Sequence, residues 1–438
     1  MFDDFPFETV TELQARGVLR VEDGNHGNDR PRPDEFGSGN TAFIRAADMD
    51  GGRVLFESAE KINEVALARI RKGKGKPGDI LFSSKGTVGK LARVEMNAPP
   101  FVCSPQTTYW RTLDENRLDR TFLYAFMQSS AFIEQWEAIK GDTDMADYAS
   151  LTSQRQFRVP LPDIKFQRNA ASVFRPLDDM IALNRRMSRT LETLAAAAFR
   201  SWFVDFDPVV AKAAGRKPAY LHPGLSALFP ATFQDSPIGP IPHGWEIKTI
   251  KAIADYVNGR AFTKGATGTG RMVIRIAELN SGPGGSTVYN DVAAAPENVA
   301  QPGDLLFAWS GSLDVYRWFR DEAIINQHIF KVICEKYPQW FVHQQLREAM
   351  PFFQDIAADK ATTMGHIKRE HLSQAFLALP PKELLDAADK IFQPLYTKQL
   401  ANERESLTLA ALRNTLLPKL LSGELRVKST EKELASHV

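Results

Sequence analysis

Pro77-Gly78-Asp79-Ile80-Leu81-Phe82 returns as Pro302-Gly303-Asp304-Leu305-Leu306-Phe307. A Pro-Gly turn, an acid and a short apolar run read as the start of a buried strand. Matches on either side keep the same order. Asp23-Gly24 answers to Asn258-Gly259, Ile44-Arg45 to Ile274-Arg275, and Gln106 to Gln327. Further on, Leu161-Pro162 answers to Leu379-Pro380, Phe174-Arg175-Pro176-Leu177 to Phe392-Gln393-Pro394-Leu395, and Asn184 to Asn402. The offset shrinks from 235 (258 minus 23) to 218 (402 minus 184), so the second copy has the shorter loops. A repeat of this length is a duplicated domain, not a solenoid of small units.

Each copy begins with a mixed segment and ends in a long helix. Short apolar runs alternate with Gly/Pro/Asn turns and read as strands. Residues 121–139 and 340–356 carry apolar side chains at helical spacing. The fold class expected is α+β. It places one domain at 1–160, a long helix at 161–204, and a proline-rich connector at 205–243. A second domain follows at 244–380, a second long helix at 381–421, and a tail at 422–438. The connector holds seven prolines and reads as extended chain without regular elements.

In the first helix Val173, Leu177, Met180, Asn184, Met187, Leu191, Leu194 and Ala198 alternate by four and three. In the second, Ile391, Leu395, Lys398, Asn402, Glu405, Leu409, Leu412 and Leu416 do the same. That is the period of a coiled-coil seam, and two such helices in one chain satisfy each other as an antiparallel pair. The expected packing residues are Leu177, Asn184, Leu191 and Leu194 against Leu395, Asn402, Leu409 and Leu412. Asn184 and Asn402 share one seam position, where a polar residue fixes register. Two solvated asparagines at a loose point are the alternative.

The 438 residues carry a net charge of +1 and are 43 % hydrophobic, which fits several globular domains and excludes a bulk polycation. A nucleic-acid site must then be a face or a loop. The absence of a run of about 18 apolar residues predicts no membrane span. The acidic start MFDDFPFETV lacks the basic and apolar regions of a secretory signal. Two cysteines, Cys103 and Cys334, form neither a CxxC pair nor a zinc spacing, as expected of thiols in the cytoplasm.

Catalytic motifs fail one by one. Ser84-Lys85-Gly86-Thr87-Val88-Gly89-Lys90 looks like a phosphate loop, but Ser84 and Leu91 stand where Gly and Ser/Thr are needed. The glycines at 265–270 lack the GxGxxG spacing. Asn97-Ala98-Pro99-Pro100-Phe101 approaches the Asn-Pro-Pro-aromatic loop of amino-methyltransferases, but the extra Ala breaks it. Pro162-Asp163 and Glu246-Ile247-Lys248 lie too far apart in sequence for one nuclease site. The eight histidines make no metal pair. No catalytic residue and no metal ligand is expected.

The features that point to DNA are local. Residues 61–93 carry nine Lys/Arg against two acids, and Arg71-Lys72-Gly73-Lys74-Gly75-Lys76 reads as a flexible basic run. Lys72, Lys74 and Lys76 there are candidates for phosphate contacts, or form a solvated loop. Ser83, Lys85 and Thr87 sit in the glycine-rich loop that follows, and Trp309, Ser310 and Ser312 occupy the matching loop. Their Ser/Gly frame persists while the other residues change, as two readers of different sequences would; a hairpin whose glycines serve only geometry is the alternative. The early turns add Gly24, Asn25 and His26, with Arg260 and Lys264 in the second copy. Arg30 and Arg32 lie just beyond the first turn. Arg45 and Arg275 follow short apolar runs. Gln106, Gln327 and His328 have the chemistry to read base edges, as does Asn326, or to satisfy buried backbone.

The chain resembles the specificity subunit of type I restriction-modification enzymes over nearly its whole length. The resemblance rests on Leu416-Leu417-Pro418-Lys419-Leu420-Leu421-Ser422-Gly423-Glu424-Leu425 and on Phe199-Arg200-Ser201-Trp202-Phe203-Val204-Asp205-Phe206-Asp207-Pro208. It rests also on Gly239-Pro240-Ile241-Pro242-His243-Gly244-Trp245-Glu246 at the opening of the second domain. The first copy departs from this pattern, starting near Phe5-Pro6 without the Pro-x-Gly-Trp opening. The resemblance implies two target-recognition domains, each reading one half of a split, asymmetric site in double-stranded DNA. It implies that the helices set the spacing and dock two methyltransferase (M) subunits, which carry S-adenosylmethionine. Restriction and translocation would come from separate R subunits, with no cofactor on this chain. A coiled-coil scaffold that binds no DNA, a nuclease, and an orphan regulatory subunit are the competing readings.

Overall fold

The computed structural model describes residues 5–139, 148–359 and 365–425. The chain divides into two compact units. One is Met1–Arg185 with Thr408–Val438, the other Arg186–Leu407.

In the first unit Phe7–Thr9 pairs antiparallel with Arg158–Pro160, tying the start of the domain to its end. A six-stranded sheet runs Leu19–Asp23, Thr107–Thr112, Ile80–Ser83, Leu91–Arg93, Gly52–Val54, Met49–Asp50. A smaller sheet centres on Phe36–Ile44, which pairs in parallel with Phe101–Cys103 and antiparallel with Lys61–Ile62. The second unit repeats this plan. Glu246–Thr249 pairs antiparallel with Phe376–Leu379. A four-stranded sheet runs Asp255–Asn258, Ile329–Ile333, Leu305–Ala308, Asp314–Arg317. Arg271–Ile274 pairs in parallel with Ala323–Ile325, as Phe36–Ile44 does with Phe101–Cys103.

The Pro-Gly-Asp element works identically in both copies. Gly78 and Gly303 take positive φ, +84° and +102°, which favours glycine. Asp79 accepts from the Lys76 N–H at 2.7 Å, and Asp304 from the Gln301 N–H at 2.7 Å. Each acid then meets a cation on a neighbouring strand. Arg111 holds Asp79 through two bonds of 2.7 and 2.8 Å, and Lys331 lies 2.8 Å from Asp304. The turn thus fixes where the strands Ile80–Ser83 and Leu305–Ala308 enter their sheets, with Ile80 opposite Arg93 and Leu305 opposite Arg317.

Residues 121–139 fold as two helices, Arg120–Met127 and Ser130–Glu137, not one. The matching segment is Gln339–Glu348 and Met350–Asp359. Their apolar faces supply much of each core. Phe122, Phe126 and Phe132 pack with Trp110 in the first unit, and Trp340, Phe341 and Phe353 pack in the second.

The connector corrects the sequence reading. It holds helices Asp207–Ala213 and Pro223–Ala227 and the antiparallel pair Phe233–Gln234 and Ile241–Pro242. Pro208 and Pro223 sit in the first helical turn, where the missing N–H would have had no partner anyway. They start helices instead of breaking them.

The long helices span Ile164–Phe203 and Lys382–Leu421. Within the first unit Ala170, Val173 and Phe174 share a core with Leu416, Leu417 and Leu420. Within the second, Phe199 and Phe203 share a core with Leu384, Leu385, Ala388 and Phe392. The buried face keeps the four-three spacing but lies one residue further along than expected. Ile181, Ser188, Ala195 and Phe199 are buried, as are Phe392, Tyr396 and Ser406. Leu177, Asn184 and Asn402 are buried, while Leu191, Leu395, Leu409 and Leu412 are half-buried. Leu194 is 54 % exposed, and Met180 and Ile391 are exposed too. The cause is the large side chains Phe174, Phe199, Phe392 and Tyr396, which sink into the domain cores. They turn each helix so that its apolar face serves a domain core as well as a helical neighbour.

Candidate nucleic-acid interface

The first unit carries a cleft of about 960 Å³. Its lining includes Arg30, Arg32, Arg45 and Lys85, the aromatic residues Phe36, Phe43 and Tyr148, and His26 and Gln106. No carboxylate lines it among the described residues.

Local sequence explains each placement. Gly24 lets the chain turn off the strand Leu19–Asp23 directly beneath a backbone: a Cβ there would lie 2.0 Å from the Cys103 carbonyl oxygen. Asn25 is buried below the turn. Its side-chain oxygen accepts from the N–H groups of Arg71 at 3.1 Å and Lys72 at 3.3 Å, and its amide donates to the Lys72 carbonyl at 2.5 Å. The turn is pinned, and His26 emerges at its exposed end, 2.8 Å from Asp23 Oδ2. Across the cleft the Arg45 guanidinium lies 5.3 Å from both the Phe36 and Phe43 rings and pairs with Glu60. The Lys85 ammonium lies 5.4 Å from the Tyr148 ring.

Three backbone contacts hold this frame, and the second unit has all three. The Ser84 N–H donates to the Gln106 carbonyl at 2.8 Å, as the Trp309 N–H does to that of His328 at 3.2 Å. The Ala149 N–H donates to the Ser84 carbonyl at 2.8 Å, as the Ile367 N–H does to that of Trp309 at 3.0 Å. Lys85 bridges to Tyr148, and Ser310 to His366. So Ser84, Lys85, Gln106 and Tyr148 correspond to Trp309, Ser310, His328 and His366. The partner of Gln106 is His328, one residue beyond the Gln327 suggested by sequence, because the hydrogen bond and not the residue type sets the register.

These four substitutions give the second unit a different surface. A concavity of about 450 Å³ is lined by Asn258, Trp309, Phe330, His366, Ile367, Lys368 and Arg369. The Trp309 indole N–H donates to Asn258 Oδ1 at 2.9 Å, which orients the ring. Its ring centre lies 5.3 Å from that of His328 and 5.8 Å from that of Phe330. The His328 Nδ1 is buried without a hydrogen-bond partner, and Nε2 lies 3.3 Å from Gln327 Nε2.

Among the described residues no three His, Cys, Asp or Glu side chains come together to hold a metal ion. Burial pushes the Cys103 thiol up, and that of Cys334 up to about 12, so neither is poised as a nucleophile.

Known proteins give this geometry a context. The type I restriction modification DNA specificity domain matches residues 26–193. The MjaIX type I restriction enzyme specificity subunit of Methanocaldococcus jannaschii is 22 % identical over 414 residues, covering 90 % of this chain and 89 % of that one. The HindI specificity subunit of Haemophilus influenzae is 23 % identical over 445 residues, covering 88 % of this chain and 94 % of that one. Over most of its length the chain is similar to type I restriction enzyme specificity subunits. The crystal structure of the type I S subunit from M. genitalium shares the fold at a TM-score of 0.50 and 14 % identity, covering 96 % of this chain and 97 % of that one.

The structure sorts the contact residues expected from the sequence. His26, Arg45, Lys85 and Gln106 come together in the first cleft. The basic run does not join them, and it is not a loose loop. A Cβ on Gly73 would lie 2.6 Å from Gly24 Cα, and one on Gly75 2.0 Å from the Phe101 ring. Lys72 is committed to Asp23 at 2.5 Å, while Lys74 and Lys76 are exposed away from the cleft lining. Ser83 is fully buried, its hydroxyl donating to the Thr87 carbonyl at 2.6 Å and accepting from the Lys90 N–H at 2.8 Å. That bond shapes the loop and leaves Thr87 exposed.

In the second unit Trp309 lines the concavity, with Ser310 buried beside it. Arg275 is held by Glu278 at 2.6 and 3.0 Å and by the Ser286 carbonyl at 2.7 Å, so its charge is already used. Arg260, Lys264 and Ser312 are exposed outside the concavity's lining. The sequence reading noted Arg30 and Arg32 only as neighbours of a turn. It missed Phe36, Phe43, Tyr148, His366, Lys368 and Arg369 as site residues. Aromatic residues and cations from strands far apart in sequence meet only once the sheets form. Among the described residues no helix is long and apolar enough to cross a membrane.

Proposed function

We propose that the chain is a specificity subunit and that each of its domains reads one half of a bipartite, asymmetric site in double-stranded DNA. One observation carries the reading: two matching backbone frames present different side chains, Ser84, Lys85, Gln106 and Tyr148 against Trp309, Ser310, His328 and His366. In the first cleft Arg30, Arg32 and Lys85 neutralise phosphates, and Gln106 meets an adenine edge with its donor and acceptor. In the second, His366, Lys368 and Arg369 surround the oriented indole of Trp309. Two unlike surfaces select two unlike half-sites.

The long helices then pack as an antiparallel coiled coil and act as the spacer. Each has 40 residues, a rise of about 60 Å, enough to bridge half-sites about one helical turn, 34–36 Å, apart. The cores that Phe174 shares with Leu417 and Phe199 with Phe392 support this pairing. The spacer docks two methyltransferase subunits, which carry S-adenosylmethionine and take the target adenine out of the stack. Restriction subunits join them in the cytoplasm to complete the enzyme.

Co-expression with a type I methyltransferase subunit in a strain free of adenine methylation, followed by methylome sequencing, tests the reading. A split motif with methyladenine in each half is expected. A continuous motif, or no methylation despite a stable complex, overturns it.

A further inference from the structure

Away from the cleft, the first unit holds a second polar cavity of about 190 Å³. Four guanidiniums line it, those of Arg53, Arg93, Arg185 and Arg413, with one carboxylate, Asp178, and the Tyr124 side chain. Arg53 is paired with Glu95, Arg93 with Asp179 at 2.9 Å, and Arg413 with Asp178 Oδ1 at 2.8 Å. Arg185 has no ion pair among the described residues.

Two further observations describe what the cavity lacks. Asp178 is only 7 % exposed, and its Oδ2 is buried with no hydrogen-bond donor. A buried carboxylate oxygen left unpaired is costly, so a ligand here must offer it a proton. The rim is also kept bare. Gly51 and Gly52 take positive φ, and a Cβ on them would lie 2.6 Å from Arg185 Nη1 and 2.6 Å from the Tyr124 hydroxyl. Burial and the Asp178 charge push the Tyr124 hydroxyl up to about 12, so it stays a donor. At the helix position matching Asp178 the second copy has Tyr396. There the Tyr396 hydroxyl lies 2.6 Å from His343 Nδ1 and accepts from Gln344 at 3.0 Å, and Arg317 lies 5.0 Å from its ring. That network closes on itself, whereas the first copy leaves both an unpaired cation and an unpaired acceptor.

We propose that this cavity binds a protonated phosphate, either hydrogen phosphate or the singly protonated form of a phosphomonoester, whose second pKa is about 6. The guanidiniums of Arg185, Arg53 and Arg413 take its anionic oxygens through charge-assisted bonds. Its P–O–H donates to Asp178 Oδ2. The acid makes the site selective: sulfate at neutral pH carries no proton for Asp178, and neither does the phosphodiester of a DNA strand. The site is therefore separate from DNA reading and stands whether or not the bipartite reading holds.

The test is isothermal titration of the full chain with inorganic phosphate, glucose 6-phosphate and sulfate at fixed ionic strength and about pH 6, where both phosphates carry a proton and sulfate does not. Saturable phosphate binding is expected, with sulfate weaker by about tenfold or more, the worth of one charge-assisted hydrogen bond. Glucose 6-phosphate binding as well would assign the site to monoesters; its failure beside phosphate binding would assign it to the free ion. R185Q removes no ion pair, so it should fold as the wild type does by circular dichroism and weaken phosphate by a similar factor. D178N should erase the preference over sulfate. The proposal is overturned by no saturable phosphate heat, by sulfate binding equal to phosphate, or by a folded R185Q that binds phosphate unchanged. A duplex DNA fragment that competes phosphate off would also overturn it, since a diester lacks the required proton.

Discussion

Removing Arg30, Arg32 and Lys85 together tests the first cleft most directly. All three are exposed and line it, and no ion pair holds any of them among the described residues. Arg45 is left in place because Glu60 and two aromatic rings already engage it. Each phosphate left without its cation should flatten the plot of log affinity against log salt by about 0.9, so R30A/R32A/K85A should flatten it by about 2.7. Over a fourfold step, from about 50 to 200 mM salt, the affinity of the wild-type complex then falls by about 40-fold more than that of the variant. The assay is fluorescence anisotropy of the methyltransferase complex on a duplex carrying its site, across a chloride series. K74A/K76A is the matched control: two exposed lysines off the cleft, expected to leave the slope unchanged. An unchanged slope in the triple variant would refute the cleft as the phosphate-binding surface. A drop in the control instead would place the duplex on the basic run.

Three further outcomes are expected. Q106A should relax preference at one base pair of one half-site, by about 1–3 kcal/mol of discrimination, with the other half unchanged in a binding-site selection. G24A or G259A, whose Cβ would lie 2.0 Å from the Cys103 and 2.2 Å from the Asn326 carbonyl oxygen, should lower urea stability by about 1–3 kcal/mol. His343 is held down to about 3, first by burial and then by Arg347 and Arg317, whereas an unfolded histidine titrates near pH 6.5. It gains its proton only on unfolding, so the stability it lends is complete above about pH 6.5 and is lost as pH falls toward 3, at up to about 1.4 kcal/mol per unit. The urea midpoint should therefore fall from pH 6.5 to 5.5, and H343Q should flatten that fall.

The duplication was legible because its signals are local. A Pro-Gly-Asp turn sets a strand start by its own backbone needs, so Gly78 and Gly303 had to stay glycine and Asp79 and Asp304 had to stay acidic. Other signals misled because they depend on surroundings. A proline is a breaker inside a helix and a starter in its first turn, and composition alone does not tell Pro208 which it is. The helical seam was displaced by one residue because a four-three count put Leu194 and Ala198 on the seam and left Phe199 off it. In the structure the aromatic side chain goes inward and Leu194 goes out.

The reading surface was the hardest part to see, for a reason rooted in how it is built. Ser84, Gln106 and Ala149 are joined through their backbones, and so are Trp309, His328 and Ile367. Backbone bonds place no demand on side-chain type, so the frame survives while Lys85 becomes Ser310 and Tyr148 becomes His366. A search for shared residues then finds the scaffold and passes over the reading surface, because under the proposed bipartite reading divergence there lets two copies of one fold recognise two sequences. The pairing of Gln106 with Gln327 shows the error in miniature. Identity chose a neighbour, while the hydrogen bond chose His328, whose ring packs on the indole that Asn258 orients. Exchanging Gln106 and Tyr148 for histidines, with Ser84 changed to tryptophan and Lys85 to serine, should on this argument move the first domain's preference toward that of the second without moving the spacer. A changed spacer length in the methylated motif would show that the frames also set the distance between half-sites.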